Sequence, residues 1–168
     1  MSIMIRSDTA THFLAFKAEL DGVMKITPTN LHSIVYTVKC TQCGCERGNI
    51  RIEEEEQDVD GSRGNANFVM KCKDCQRQCK ISYGRKEILS ELKECEEFPS
   101  DTWMVIADFD CRGCSIESAT CTEWEIISES ENTYEWNGID EFFEYDEDLE
   151  RPVTVSNMEL KVKSTKRR

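Results

Sequence analysis

Apolar and polar side chains alternate along most of this chain. That period of two puts one face of an extended strand inward and the other outward. In the first half, Phe13–Leu20, Ile34–Cys40, Asn49–Ile52, Asn67–Cys72 and Cys79–Tyr83 read as strands. In the second, Ile88–Lys93, Trp103–Asp110, Cys121–Ile127, Tyr134–Trp136 and Asn157–Lys163 do the same. No long stretch keeps a helical period. Turn residues punctuate the runs at Pro28–Asn30, Asp60–Gly64, Pro99–Asp101, Asn137–Gly138 and Arg151–Pro152. Many short strands joined by turns predict an all-β fold, a β-sandwich or a pair of partial barrels.

The two halves resemble each other. Pro28, Cys40 and Cys43 recur at one constant offset as Pro99, Cys111 and Cys114, and each Cys-x-x-Cys follows a strand-like run. A second parallel joins FVMKCKDC (68–75) to MELKVKST (158–165), where Val162 and Thr165 take the places of Cys72 and Cys75. The expectation is two similar β subdomains, residues 1–84 and 85–168, with the metal chemistry kept in the first and degenerate in the second.

Composition narrows the role. Hydrophobic residues make up 39% and charged residues 32% of the 168, which is a globular balance. Lys and Arg number 21 against 33 Asp and Glu, a net charge of -12. Such a chain repels phosphate backbones and anionic membranes, so nucleic-acid and membrane partners are not expected. No window reaches the ~18–20 apolar residues of a membrane span. The opening MSIMIRSDTATHF is broken by Arg6 and Asp8 and does not read as a secretory signal. A cytoplasmic location follows as the expectation, with the basic end Lys161–Arg168 a weak nuclear signal or a frayed terminus.

Ten cysteines change the picture most. In a reducing compartment, closely paired cysteines read as metal ligands or redox centres before disulfides. Cys40-x-x-Cys43 and Cys72-x-x-Cys75, separated by residues 44–71, have the spacing of two zinc knuckles. A tight turn brings each pair onto one metal and aims its backbone amides at the sulfurs. Gly44 suits the positive φ such a turn needs; the second knuckle must use Gln76 or a different turn. Four thiolates and one Zn²⁺ leave a charge of -2, which Lys39, Arg47, Lys71, Lys73 and Arg77 are placed to offset. Cys45 and Cys79 lie close enough in sequence to compete as ligands or to stay free thiols. Cys111-x-x-Cys114 reads as a vestigial knuckle, having only Cys95 and Cys121 nearby and no βαβ context for redox work.

Other features carry less chemistry. Gly61-Ser62-Arg63-Gly64 reads as a hairpin turn before the second knuckle, with an anion-binding nest the sharper alternative. The acidic runs Glu53–Glu56 and Asp140–Glu150 lack the pattern of a calcium loop and read as solvated segments. Phe142, Phe143 and Tyr145, inside the second run, read as an aromatic anchor if buried and a partner site if exposed. His12 and His32, the only histidines, sit in no catalytic motif and read as surface residues beside strands.

Taken together, Cys40–Cys43, the segment GSRGNANFVMKCKDC (Gly61–Cys75), DFDCRG (Asp108–Gly113) and EYDED (Glu144–Asp148) resemble the eukaryotic CXXC-motif-containing zinc-binding protein family. That family was long known only as a domain of unknown function. The resemblance covers nearly the whole chain. It implies an all-β fold of two similar subdomains, one Zn²⁺ per chain held by Cys40, Cys43, Cys72 and Cys75, and no established catalytic activity. Cys45, Cys79 and Cys114 stand outside the ligand set it implies. The function expected is a non-enzymatic, intracellular zinc-binding protein with a structural metal and protein partners. The alternative is a thiol-based metal-handling or redox protein using Cys45, Cys79, Cys111 or Cys114.

Overall fold

Strand alternation in the sequence becomes alternation of burial in space. In Ile34–Cys40, residues Ile34, Tyr36, Val38 and Cys40 point into the core while their neighbours are half-exposed. The computed structural model describes residues 10–58, 64–85 and 87–165. Its strands are β1 (Ala10–Asp21), β2 (Val23–Pro28), β3 (Ile34–Cys40), β4 (Glu46–Ile50), β5 (Gln57–Asp58), β6 (Asn65–Ala66) and β7 (Phe68–Lys71). They continue as β8 (Gln78–Tyr83), β9 (Met104–Arg112), β10 (Cys114–Cys121), β11 (Trp124–Ser128), β12 (Thr133–Trp136), β13 (Phe142–Asp146) and β14 (Arg151–Thr165). One short helix, α1 (Ile88–Glu94), and a 3₁₀ turn (Leu31–Ser33) complete the described elements.

The fold is all-β, as expected. Six strands form one sheet in the order β13-β14-β1-β9-β8-β7. Two three-stranded sheets, β10-β3-β4 and β12-β11-β2, curl against it to make a half-barrel. Every pairing among these strands is antiparallel, and β1 lies between β14 and β9. Each of these three sheets takes strands from both sides of residue 84, so the two sequence halves interleave through their hydrogen bonds. One continuous apolar core runs between the sheets. At its centre the Tyr36 and Phe109 rings meet edge-on at 5.5 Å, and Phe16 meets Trp124 at 5.4 Å.

Several local readings are corrected. Ile88–Lys93 is helical, because Leu, Glu and Lys are good helix formers and the apolar Leu89 and Leu92 sit three apart on one face. The segments β2, β10 and β13 carry no strand in the sequence reading, and β13 falls inside the acidic run taken as a solvated loop. Arg151–Pro152 does not turn but opens the 15-residue strand β14. His12 is a buried residue of β1, while His32 is exposed and meets Glu53 at 2.9 Å. The expected turn at Gly61, Ser62 and Arg63 lies outside the described residues.

Candidate metal centre

The site grows from two equivalent turns. At the end of β3, the Cys40 N–H donates to the Cys45 carbonyl (2.9 Å), and the Gly44 N–H donates back to the Cys40 carbonyl (2.9 Å). After β7, the Cys72 N–H donates to the Arg77 carbonyl (2.8 Å), and the Gln76 N–H donates to the Cys72 carbonyl (3.0 Å). The left-handed residue of the first turn is Gly44, at φ 79°, and that of the second is Gln76, at φ 64°. Both therefore fall where the sequence places them. A glycine takes this conformation at no steric cost, whereas Gln76 carries the strain of an L residue there.

These turns bring four sulfurs together. Cys40 Sγ lies 3.6 Å from Cys75 Sγ, and Cys43 Sγ lies 3.5 Å from Cys72 Sγ. All four ligand atoms fall within 4.8 Å of one another. A tetrahedral Zn²⁺ with Zn–S bonds of about 2.3 Å requires sulfurs about 3.8 Å apart. Donor type, number and spacing thus fit one Zn²⁺, which Cys40, Cys43, Cys72 and Cys75 would hold. When bound, the ion cross-links the two turns through a closed all-sulfur shell, leaving no position for water or substrate.

Backbone dipoles prepare the first cysteine of each pair. The amides of Cys43 and Gln42 donate to Cys40 and hold its thiol down at about 6. Cys72 is lowered in the same way by the amides of Cys75 and Asp74. The second cysteines move oppositely. Although the Cys45 amide favours its thiolate, hydrogen bonding to Cys72 and burial push Cys43 up to about 12. Cys75 is raised against the pull of the Arg77 amide, by burial and by its contact with Cys40. Four thiolates without a cation repel one another, so the two cysteines of each pair shift in opposite directions, and a bound metal would displace the protons that the thiols retain. Among the flanking cations, the Arg77 guanidinium donates to Gln42 Oε1 at 3.1 Å and ties one knuckle to the other.

The remaining thiols are not among these four sulfurs, but two of them border the group: Cys45 interacts with Cys72 and Asp74, and Cys79 with Cys40. The Cys45 sulfur turns toward the Glu46 carbonyl at 3.9 Å. Cys79 is buried on β8, donates to the Gly113 carbonyl at 3.2 Å, and is pushed up to about 12 by desolvation. Cys111 and Cys114 do not form a knuckle. Cys111 is the penultimate residue of β9 and Cys114 opens β10, on either side of Arg112–Gly113, and both are buried. Cys95 is exposed after α1, and Cys121 is buried near Ser33. Among the described residues, the four-sulfur group is the only cluster of this kind.

Gly113 is a part of the site that the spacing of cysteines does not reveal. Its carbonyl accepts from the Thr41 N–H at 3.1 Å as well as from Cys79, and Cys114 pairs directly with Cys40 across the β3–β10 ladder. A Cβ on Gly113 would lie 2.5 Å from the Gln78 carbonyl, and its φ is 78°. The second half of the chain thus supplies a corner that buttresses the first knuckle. The only sequence signal for it is the glycine between two cysteines in DFDCRGC.

Fold and site together define an all-β protein with a four-cysteine zinc centre. The model of the family described as "CXXC motif containing zinc binding protein, eukaryotic" matches residues 13–163, and the chain belongs to that family. A UPF0587 protein of Schizosaccharomyces pombe is 29% identical over 89% of this chain and 95% of its own. Its counterpart in Caenorhabditis elegans is 30% identical over 86% and 89%. Two solved structures share the fold. "Crystal Structure of C1orf123" aligns with a TM-score of 0.76 at 21% identity, covering 92% of this chain and 99% of that one. A "Hypothetical protein from plasmodium falciparum" aligns at 0.73 and 19% identity, covering 91% and 99%.

Proposed function

We propose that this chain is a non-enzymatic, intracellular protein whose single Zn²⁺ is structural and whose β surface binds other proteins. The observation that carries the reading is the closed tetrad of sulfurs at tetrahedral spacing on two backbone-organised turns. A catalytic zinc keeps an open coordination position, and an all-cysteine shell offers none. Ten free thiols suit a reducing compartment such as the cytoplasm.

The metal-handling or redox alternative needs mobile or reactive thiols. Cys79 and Cys111 are buried with raised thiols, and Cys114, held down by donation from Cys111, is only 3% exposed. A reactive cysteine combines a lowered thiol with access, and none of these three has both.

Elemental analysis of purified protein tests the assignment. Wild type and Cys114→Ser are expected to carry one zinc per chain, whereas Cys72→Ser loses stoichiometric zinc. Equal metal loss in the Cys72 and Cys114 variants would overturn the assignment of Cys114 as a non-ligand. Rapid exchange of the bound zinc with a competing chelator under native conditions would favour metal handling over a structural role.

A further inference from the structure

Resting on the protein-binding reading above, we propose that the open edge of β13, with the cleft beside it, binds an extended, Lys- or Arg-rich peptide segment carrying apolar side chains. The partner segment adds as a further strand to the six-stranded sheet.

Three features converge there. Among the described residues β13 ends the sheet, pairing with β14 on one side only. A terminal strand leaves backbone N–H and C=O groups available for an added strand. Second, the exposed large hydrophobics of the described residues all fall at this edge: Ile139 (60%), Phe143 (65%) and Tyr145 (56%). Third, a cleft of about 640 Å³ adjoins it, floored by Trp124, Trp136 and Phe142. Apolar residues gathered beside an open edge mark an interaction surface rather than ordinary scatter.

Hydrogen bonds fix both ends of the edge. The buried Asp146 carboxylate, at the end of β13, accepts from the Ser130 and Tyr134 hydroxyls (both 2.9 Å), the Asn132 amide (3.1 Å) and the Leu149 N–H (2.9 Å). At the other end, the Ile139 N–H donates to Asn137 Oδ1 (2.8 Å) and Trp136 Nε1 donates to the Ile139 carbonyl (3.3 Å). Gly138 packs so closely that a Cβ would sit 2.8 Å from the Cys121 carbonyl. A preorganised edge avoids much of the ordering cost of binding.

Charge selects the occupant. Glu123, Glu135, Asp140, Glu141 and Glu144 line the cleft, and among the described residues no Lys, Arg or His does. Among the described residues none of the five makes an ion pair. Like charges facing one another are costly, so two copies of this acidic edge repel. A basic strand is attracted, alternately placing cations on the rim and apolar groups against Phe143 and Ile139.

The test is fluorescence anisotropy with the zinc-loaded full chain and a labelled peptide of alternating Lys and Val. Two control peptides alternate Lys with Pro, which keeps the charge but removes strand N–H groups, and Glu with Val. The expected result is saturable binding of the Lys–Val peptide alone, weakened by salt and weakened about tenfold by either Phe143→Ser or Glu141→Lys. Both substitutions are at exposed positions, and zinc content verifies that each variant is folded. Equal affinity for the Lys–Pro peptide, or unchanged affinity in both variants, overturns the proposal. So does a wild-type dimer, read by sedimentation, that Phe143→Ser dissociates, because a second copy is then the occupant. Cross-linked cellular partners that engage Phe143→Ser as well as wild type would discard this edge while leaving the protein-binding reading intact. Absence of any partner for either chain would discard that broader reading instead.

Discussion

Asp146 illustrates how one side chain organises a segment that its sequence marks only as acidic. Burial alone raises a carboxyl's proton affinity, but the Leu149 N–H and the Ser130, Tyr134 and Ser128 hydroxyls outweigh it and hold Asp146 well below the usual carboxylate range. A carboxyl lowered in the folded state contributes stability above its unfolded value near ~3.9, and that contribution disappears as pH falls through the folded value. Asp146→Asn is therefore expected to lower the thermal midpoint at neutral pH. The gap from wild type should narrow as the buffer is taken below about pH 4, and a constant gap would assign the effect to packing alone. Charge runs read along a sequence look solvated because the donors that bury one member, here Ser130 and Asn132, arrive from another strand connection.

Corners and turns decide the site at the level of elements. Knuckle geometry is legible in sequence because each is closed by short-range hydrogen bonds: Gly44 and Gln76 occupy equivalent places in the two turns. Strand β3 is legible too, since IVYTVKC alternates strictly and is buried on one face. The corner at Gly113 is not, because its role depends on Thr41 and Cys79, remote in sequence. Gly113→Ala is expected to cost more than the ~1–2 kcal/mol of a left-handed L residue, since the new methyl also meets the Gln78 carbonyl. Denaturant unfolding measures the loss, and zinc content should fall with it. Gly48→Ala, on β4 with ordinary negative φ and its nearest neighbour at 3.7 Å, should be close to neutral and serves as the contrast. Helix α1 escapes the period-two reading for a related reason: seven residues are too few for periodicity to separate a helix from a strand.

For the molecule as a whole, what matters is that β3 and β8, adjoining the two knuckles, also pair with β10 and β9 from the second half. Removing zinc with a chelator is therefore expected to lower a single thermal transition of the entire chain, not to release residues 1–84 separately. Two resolved transitions in calorimetry would contradict this. The core behaves likewise. Phe109, fully buried against Tyr36 and Tyr83, joins β9 to elements of the first half. Phe109→Ala should cost about 3–5 kcal/mol in denaturant titrations. It is also expected to weaken zinc retention, since β9 runs directly into the Gly113 corner.

Sequence alone determined the all-β class and the four metal-ligand candidates, because strand alternation and Cys-x-x-Cys turns are written in neighbours a few residues apart. Tertiary structure decided what long-range pairing sets: the interleaving of the halves across each large sheet, the buttress at Gly113, the burial of His12 and Asp146, and the open edge at β13. Those features depend on which strands meet, and an antiparallel pairing between residues as distant as Thr11 and Thr165 leaves no local trace in either segment.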